Sequence, residues 1–277
     1  MRLCITGILL AAALTAADVK YDGAKVHYES YGKGSEAVVF IHGWTCDLTF
    51  WRGQAPVYEK RRALLIDLPG HGQSEPAADY SMDRFARAID AVMRDAGVSK
   101  ATLVGHSMGG PVVLSYLRLF PQKTSGIVLV DAVLQPARTP EEEAKARAQI
   151  EPFLSGFAKP EYRETMAKMI DGMYSAKTTP AMRAEITAKM VGTPQTVVVG
   201  AMRGMFATPG LKESEKYNVP AMVIMNAAQK RDGYEGLLRK SFPNLRSYES
   251  WQGVGHFLMM EDPARFNTAL EKFLAQR

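Results

Sequence analysis

One serine in this sequence has the neighbours that a nucleophile needs. Ser107 lies in the stretch GHSMG at 105–109, between the apolar run TLV and a helical pattern that starts near Pro111. A strand, a glycine-flanked serine and a helix together predict a sharp turn. Such a turn holds the hydroxyl above a sheet, next to a helix N-terminus that favours developing negative charge. The alternative is a glycine-rich turn with an ordinary serine, and the two flanks favour the nucleophile.

Apolar runs alternate with helical patterns, and together they predict the sheet that positions this serine. The runs cover residues 36–43, 61–72, 100–107, 125–133 and 219–227, and they are almost continuously apolar, as strands buried on both faces of a parallel sheet are. Helical patterns cover 81–97, with Ser81 as N-cap, 111–121 and 263–277. Residues 19–32 are typical of an antiparallel edge hairpin that turns at Asp22-Gly23. We predict an α/β fold with a doubly wound, mostly parallel sheet.

The alternation of strands and helices stops between residues 134 and 218. This stretch contains four helical segments, three of which begin at or just after a proline, and one ambiguous apolar run, TVVVG. We predict a helical insertion that covers one side of the sheet as a cap. Methionines are frequent in it, and methionine fills irregular apolar space and adapts to varied ligands. Most of them are expected to pack the insertion against the core, and Met169, Met173 and Met205 are our candidates for the wall of a pocket.

The first 17 residues have the pattern of a secretory signal peptide. Arg2 is followed by an apolar stretch over residues 3–14 that is too short to span a bilayer, and small residues at 15–17 offer a cleavage site. An uncleaved anchor or a buried N-terminal strand is the alternative. The expected organisation is a signal peptide at 1–17, a core domain formed by 18–133 and 219–277, and a cap at 134–218. We expect export to the periplasm or the medium, without stable membrane insertion.

Composition and charge argue against several classes of function. The formal net charge of +5 is small, and no basic residues are interleaved with aromatic ones, so no nucleic acid is expected as a partner. The five histidines are scattered and HExxH is absent, so no metal is expected. No GxGxxG follows the first strand, and no cofactor is expected. Removal of the signal would leave Cys46 without a partner for an internal disulfide.

Four short motifs resemble the α/β-hydrolase fold family. They are FIHGW at 40–44, DLPGHGQSE at 67–75, VGHSMGG at 104–110 and GVGHFLMMEDPARF at 253–266, in the family's order and with similar spacing. The resemblance runs from about residue 19 to the C-terminus, and it is specific for the fold rather than for the substrate. It implies a serine hydrolase with a helical cap, in which a histidine activates Ser107 and an acid orients the histidine. It assigns the role of base to His256, in GVGHF.

The acid of this triad is where the sequence departs from the family's common pattern. In most relatives the acid lies about nine residues beyond a proline such as Pro220, and here that position is Gln229, which carries no charge. Asp232 lies three residues further on and would serve if the loop is longer. A subset of the family takes its acid from the end of the strand after the nucleophile, which is Asp131 in IVLVD. We favour Asp131, with Asp232 as the alternative acid.

The resemblance also implies which groups stabilise an oxyanion. These are the backbone N–H groups of Met108, directly after the serine, and of Trp44, in FIHGW. Because both are main-chain donors, the two side chains are free to shape the substrate pocket. Phe50 and Trp51 are candidates for an aromatic wall beside Trp44, and packing of their loop on the sheet edge is the alternative.

These expectations describe a carboxylesterase-like enzyme. Its partner is a small-molecule ester, small to medium and largely apolar, which it cleaves through an acyl-enzyme. Lactonases and carbon–carbon bond hydrolases use the same triad and are alternatives, whereas Ser107 argues against dehalogenases and epoxide hydrolases, which carry aspartate there. A ligand-binding relative with little turnover is a further alternative, and it applies if neither Asp131 nor Asp232 reaches His256. The oligomeric state stays open.

Overall fold

The chain folds around one twisted sheet. A computed structural model describes residues 14–229 and 231–276. The strands are β1 Thr15–Tyr21, β2 Ala24–Tyr31, β3 Glu36–Ile41, β4 Ala63–Ile66, β5 Lys100–His106, β6 Thr124–Val130, β7 Ala221–Asn226 and β8 Leu245–Trp251. Within the described residues they lie in the order β1-β2-β4-β3-β5-β6-β7-β8. Residues 1–13 of the expected signal peptide lie outside the described residues, and residues 15–17 belong to β1.

The sheet is parallel over most of its width. Strands β3 to β8 pair in parallel, and β2 pairs antiparallel with β1 on one side and β4 on the other. Every residue of β4 and β7 is buried, which explains their continuous apolar runs. The β1–β2 hairpin turns at Asp22 and Gly23, which both have positive φ. The predicted α/β fold with a mostly parallel sheet is confirmed.

Helices flank this sheet. They are α1 Ala55–Tyr58, α2 Met82–Asp95, α3 Gly109–Leu119, α4 Pro140–Phe157, α5 Tyr162–Asp171, α6 Pro180–Val191, α7 Gln195–Ala207, α8 Tyr234–Ser241, α9 Leu258–Glu261 and α10 Pro263–Ala275. The Ser81 hydroxyl caps α2 by accepting a hydrogen bond from the Arg84 N–H at 3.2 Å, as predicted. Among the helices of residues 14–229 and 231–276, none combines the length and the apolar character that a membrane span requires.

Helices α4 to α7 occupy the chain between β6 and β7, where the sequence predicts an insertion. The ambiguous run TVVVG belongs to α7 and not to a strand. Several polar contacts tie the insertion to the loop that follows β3. Trp44 Nε1 donates to the Val198 carbonyl at 2.9 Å, and Lys189 Nζ lies 2.8 Å from Asp47 Oδ2. The insertion is therefore attached at the carboxyl end of β3, the side of a parallel sheet where ligands bind.

Candidate active site

Ser107 lies on a sharp turn between β5 and α3. Its φ is +52°, a left-handed conformation that is strained for a residue other than glycine. A Cβ at Gly105 would lie 2.5 Å from the Gly109 carbonyl oxygen, and a Cβ at Gly109 would lie 2.7 Å from the Ile41 carbonyl oxygen. Only glycine fits at both positions, which is the physical reason for the GxSxG pattern here. The turn therefore holds Ser107 at the carboxyl edge of the sheet.

Asp131 and His256 form a close pair. Asp131 directly follows β6, and its Oδ2 lies 2.6 Å from His256 Nδ1. The aspartate is 2% exposed and has a φ of +45°. Asp232, the alternative acid, is exposed, and in the described part of the chain it forms no hydrogen bond or ion pair with the imidazole. The structure thus brings Asp131 to His256 and leaves Asp232 apart from it.

Asn226 completes the hydrogen bonding of the Asp131 carboxylate. It is the last residue of β7, the strand beside β6, and its backbone N–H donates to Asp131 Oδ1 at 2.8 Å. Its side-chain Nδ2 donates to Asp131 Oδ2 at 2.8 Å, and its Oδ1 accepts a hydrogen bond from the Gln229 N–H at 3.1 Å. The two amide donors fix the carboxylate in the orientation that meets His256. Sequence reasoning missed Asn226, although a buried polar residue at the end of an apolar strand was the available signal.

Backbone contacts hold His256 from two directions. Its N–H donates to the Met173 carbonyl of the insertion at 2.9 Å, and its carbonyl accepts a hydrogen bond from His106 Nε2 at 2.9 Å. The position of the imidazole therefore depends on the insertion as well as on the residue next to the nucleophile.

Glu261 joins the loop before His256 to the insertion. Its Oε2 accepts hydrogen bonds from the Gly255 N–H at 2.5 Å and from the Ser175 hydroxyl at 2.7 Å. Its Oε1 accepts a hydrogen bond from the Thr178 hydroxyl at 2.6 Å. One carboxylate at the end of α9 thus fixes the segment between α5 and α6 against the histidine loop. Glu261 was not among the residues predicted from the sequence.

Ser107, Asp131 and His256 line one cavity of about 220 Å³. The structure gives no hydrogen bond between the Ser107 hydroxyl and the His256 ring, and in free enzymes this contact is often long and tightens when substrate binds. The backbone N–H groups of Trp44 and Met108 donate to no acceptor within residues 14–229 and 231–276. Neither N–H group is engaged within the described residues, and neither residue lines the cavity.

Met205 is the predicted pocket residue that lines this cavity. The wall of the cavity does not include the other candidates, which are Trp44, Phe50, Trp51, Met108, Met169 and Met173. Met169 and Met173 are half-buried and pack against the hydrophobic core. The expectation that these two methionines line the pocket is therefore corrected, because Met169, on α5, and Met173, in the segment after it, pack against the core.

Phe50 and Trp51 also pack in the core. Their exposed fractions are 1% and 0%. The Phe50 ring contacts Phe257, and the Trp51 ring contacts Phe40 and Phe266. The predicted aromatic wall is corrected at these two positions, and loop packing, the alternative, describes them.

A comparison with models of known protein families identifies the family of this chain. The model described as alpha/beta hydrolase fold matches residues 36–263, a range that contains Ser107, Asp131 and His256. The chain belongs to the α/β-hydrolase fold family. The family that the four sequence motifs indicated is thus confirmed.

Solved structures of other α/β hydrolases have the same fold. An esterase from Thermogutta terrifontis, solved with malate bound, is 22% identical with a TM-score of 0.77, over 95% of this chain and 98% of that chain. Est816, described as an N-acyl homoserine lactone degrading enzyme, is 25% identical with a TM-score of 0.73, over 93% of this chain and 100% of that chain.

A curated relative matches a shorter part of the chain. The dihydrolipoyllysine-residue acetyltransferase component of the acetoin cleaving system of Cupriavidus necator is 39% identical over 125 residues. The match covers 44% of this chain and 33% of that protein. The chain thus spans about a third of the length of this relative, and the likeness is local.

Three further histidines of this α/β hydrolase are buried around the site. His42 Nε2 accepts a hydrogen bond from the Leu68 N–H at 3.0 Å, so Nδ1 carries the proton and donates to the Gly43 carbonyl at 2.8 Å. Burial lowers the pKa of His42, and it lowers the pKa of His106 well below its ordinary value. Burial also lowers the pKa of His71, to about 3. These rings are neutral at pH 7, and within the described residues no group of three histidine, cysteine or acidic side chains is placed to hold a metal ion.

Proposed function

We propose that the protein is a serine hydrolase that cleaves carboxylic esters of small to medium, largely apolar substrates through an acyl-enzyme. One observation carries the proposal: the Asp131–His256 pair, at 2.6 Å, opens on the same cavity as the strained Ser107. A hydroxyl becomes an effective nucleophile when an oriented base takes its proton. The contact between Asp131 and His256 also favours an enzyme over a relative that binds a ligand with little turnover.

The first half of the proposed reaction acylates Ser107. His256 Nε2 takes the hydroxyl proton as Oγ attacks the ester carbonyl carbon, and Asp131 accepts the Nδ1–H bond that stabilises the imidazolium. The N–H groups of Trp44 and Met108 donate to the oxyanion of the tetrahedral intermediate. His256 then gives its proton to the departing alcohol, and the acyl group stays on Oγ.

The second half of the reaction releases the acyl group. His256 takes a proton from water, and the resulting hydroxide attacks the acyl carbon. A second tetrahedral intermediate collapses, Ser107 Oγ leaves with the proton from His256, and the carboxylic acid is freed. The ester is thus split by one water, and the site returns to its starting state.

Initial rates on p-nitrophenyl esters of acyl chains from acetate to decanoate test this function. We expect turnover in the wild type, and a loss of at least about 10³-fold in Ser107→Ala. Ser155→Ala, which removes an exposed hydroxyl on α4, is the matched control and should keep the wild-type rate. Folded wild-type protein that hydrolyses none of the esters, or Ser107→Ala with the full rate, would overturn the proposal.

Lactone hydrolysis is the second candidate. A lactone is a cyclic ester, so the same triad opens it, and the likeness to Est816 at 25% identity favours testing it. Assays with N-acyl homoserine lactones of several chain lengths, beside the linear esters, decide between the two substrates. A higher kcat/KM on lactones would change the preferred substrate and leave the triad as proposed.

A further inference from the structure

The cavity beside Ser107 has a buried apolar end and an exposed charged rim. Leu114 and Leu134, at the buried end, are each 2% exposed. Arg138 and Arg231, at the rim, are both exposed. A substrate that fills the cavity therefore meets aliphatic side chains at its buried end and guanidinium groups at its exposed rim.

The positive charge at this rim is only partly balanced. Glu143 lines the cavity and is shared by two arginines, because its Oε2 lies 3.7 Å from Arg138 and its Oε1 lies 3.5 Å from Arg147. Both separations are longer than a good hydrogen bond. Arg231 forms no ion pair with a carboxylate in the part of the chain that the structure describes. Guanidinium groups in this state are ready to bind a planar anion with two parallel N–H donors.

The other carboxylate of the cavity does not neutralise the rim. Asp131 is buried, and its oxygens are engaged by His256 and by the two donors of Asn226. Because the proposed acid, Asp131, comes from the end of β6, the loop after β7 does not have to provide one. That loop contributes Gln229 and Arg231 to the cavity, a neutral amide and a cation.

We propose that the ester cleaved at this site carries an anionic group, of the carboxylate type, which an apolar spacer separates from the scissile bond. Arg138 and Arg231 bind the anion, and Leu114 and Leu134 contact the spacer. The inference rests on the proposed ester hydrolysis and narrows its substrate class. The preferred partner is thus an amphipathic ester with a carboxylate on its acyl or alcohol part, and neutral esters are the poorer substrates.

Two matched pairs of esters test the anion site. Mono-p-nitrophenyl glutarate and p-nitrophenyl pentanoate have five-carbon acyl chains and differ in a carboxylate on the acyl part. The butyrates of 4-hydroxybenzoate and of 4-methylphenol differ in a carboxylate on the alcohol part. After correction for alkaline hydrolysis rates, we expect the wild type to prefer the anionic member of at least one pair by about tenfold or more in kcat/KM, as charged hydrogen bonds allow.

Variants of the two arginines test whether these residues cause the preference for the anionic ester. In Arg138→Gln/Arg231→Gln the ratio between the two members should fall to about threefold or less, and 0.5 M salt should lower the wild-type ratio because it screens exposed charges. Arg246→Gln, at an exposed arginine of β8 that does not line this cavity, is the matched control and should keep the ratio. Equal rates within both pairs, or a ratio that the double variant leaves unchanged, would overturn the anion site.

A binding experiment separates this inference from the proposed function. Calorimetry with Ser107→Ala should show tighter binding of monomethyl glutarate than of methyl pentanoate, or of the butyrate of 4-hydroxybenzoate than of that of 4-methylphenol, and this readout does not depend on turnover. Equal affinity would contradict the anion site even where esters are hydrolysed. Preferred binding of the half-ester without any ester turnover by the wild type would support the anion site and contradict the proposed reaction.

Discussion

Asp131 is the residue on which the mechanism depends after the serine and the histidine. Its carboxylate is buried and lies 2.6 Å from His256 Nδ1, so in the proposed mechanism it sets the tautomer that leaves Nε2 as base. Asp131→Asn should lower kcat by about 10⁴-fold, because an amide at this position favours the wrong tautomer. Steady-state rates on an accepted ester, with Asp232→Asn as matched control, check this. A large loss in Asp232→Asn and none in Asp131→Asn would reverse the assignment.

Substitution of Asn226 should lower kcat, as substitution of Asp131 does, but by a smaller factor. Asn226→Ala removes the Nδ2 donor to Asp131 Oδ2 and keeps the backbone donor to Oδ1. The loss of one hydrogen bond to a charged group, about 1.5–3 kcal/mol, predicts a 10- to 100-fold lower kcat with KM little changed. A variant with wild-type kcat would show that the remaining bonds orient the carboxylate without it.

At the scale of residues, the sequence predicted the chemical types better than the side-chain directions. Ser107 was predicted from its turn motif, His256 and Asp131 were predicted from the family resemblance, and the structure places the last two in contact. Phe50 and Trp51 were wrong for the wall, since spacing does not tell whether a loop ring points to a cavity or to the core. Asn226 was missed because its role depends on the register between β6 and β7.

At the scale of elements, Glu261 links α9, the histidine loop and the insertion. Its carboxylate accepts hydrogen bonds from Gly255, Ser175 and Thr178, more than one glutamine carbonyl accepts well. Glu261→Gln should lower the free energy of unfolding by about 1–3 kcal/mol and also reduce kcat, because the loop it holds carries the proposed base.

Urea unfolding and steady-state kinetics of Glu261→Gln check this prediction. Glu271→Gln is the matched control, because Glu271 pairs with Arg61 at the surface of α10, where ion pairs contribute about 0–1 kcal/mol. A Glu261→Gln variant as stable and active as the control would mean that the insertion and the histidine loop hold their positions independently.

Strands buried on both faces and the hairpin at one edge of the sheet were predictable, and the strand at the other edge was not. The runs that became β3, β5, β6 and β7 are apolar because flanking strands and helices cover them. The last strand, β8, has the sequence LRSYESW and only its first and last residues are buried, so it lacks that signal. Its helix α8 is short and was missed with it.

At the scale of the whole molecule, the buried histidines make stability depend on pH. The pKa of His71 is lowered to about 3 in the fold, against 6.5 for an ordinary histidine. Between these values the unfolded chain binds a proton that the folded chain does not, so stability is full above about pH 6.5 and falls as the pH drops toward 3. The slope is about 1.4 kcal/mol per pH unit for each such histidine.

His71→Gln isolates this effect. The wild-type free energy of unfolding should fall between pH 8 and pH 5, and the fall should be about 2 kcal/mol smaller in the variant, because glutamine does not titrate. Urea titrations at both pH values measure it, and the comparison of slopes is independent of any change in stability at pH 8. An identical fall in both proteins would show that His71 titrates in the folded state as it does in the unfolded one.

The order and the type of the strands and helices were predictable from the sequence, but the contacts between them were not. The order of strands and helices indicated a parallel sheet whose carboxyl edge carries the polar residues, and the family motifs indicated the fold. The contact between Asp131 and His256 spans 125 positions of chain, and the cavity takes its walls from the insertion as well as from the core. Such distances depend on packing between elements, which local patterns do not encode.

The central claim is that Ser107 is the nucleophile that His256 and Asp131 activate. The most direct measurement is peptide mapping by mass spectrometry after treatment with phenylmethylsulfonyl fluoride, which sulfonylates an activated serine. We predict one adduct, on Ser107, formed at least about 100-fold more slowly in His256→Asn and Asp131→Asn. An adduct on another residue, or labelling of Ser107 at the same rate in both variants, would contradict the account.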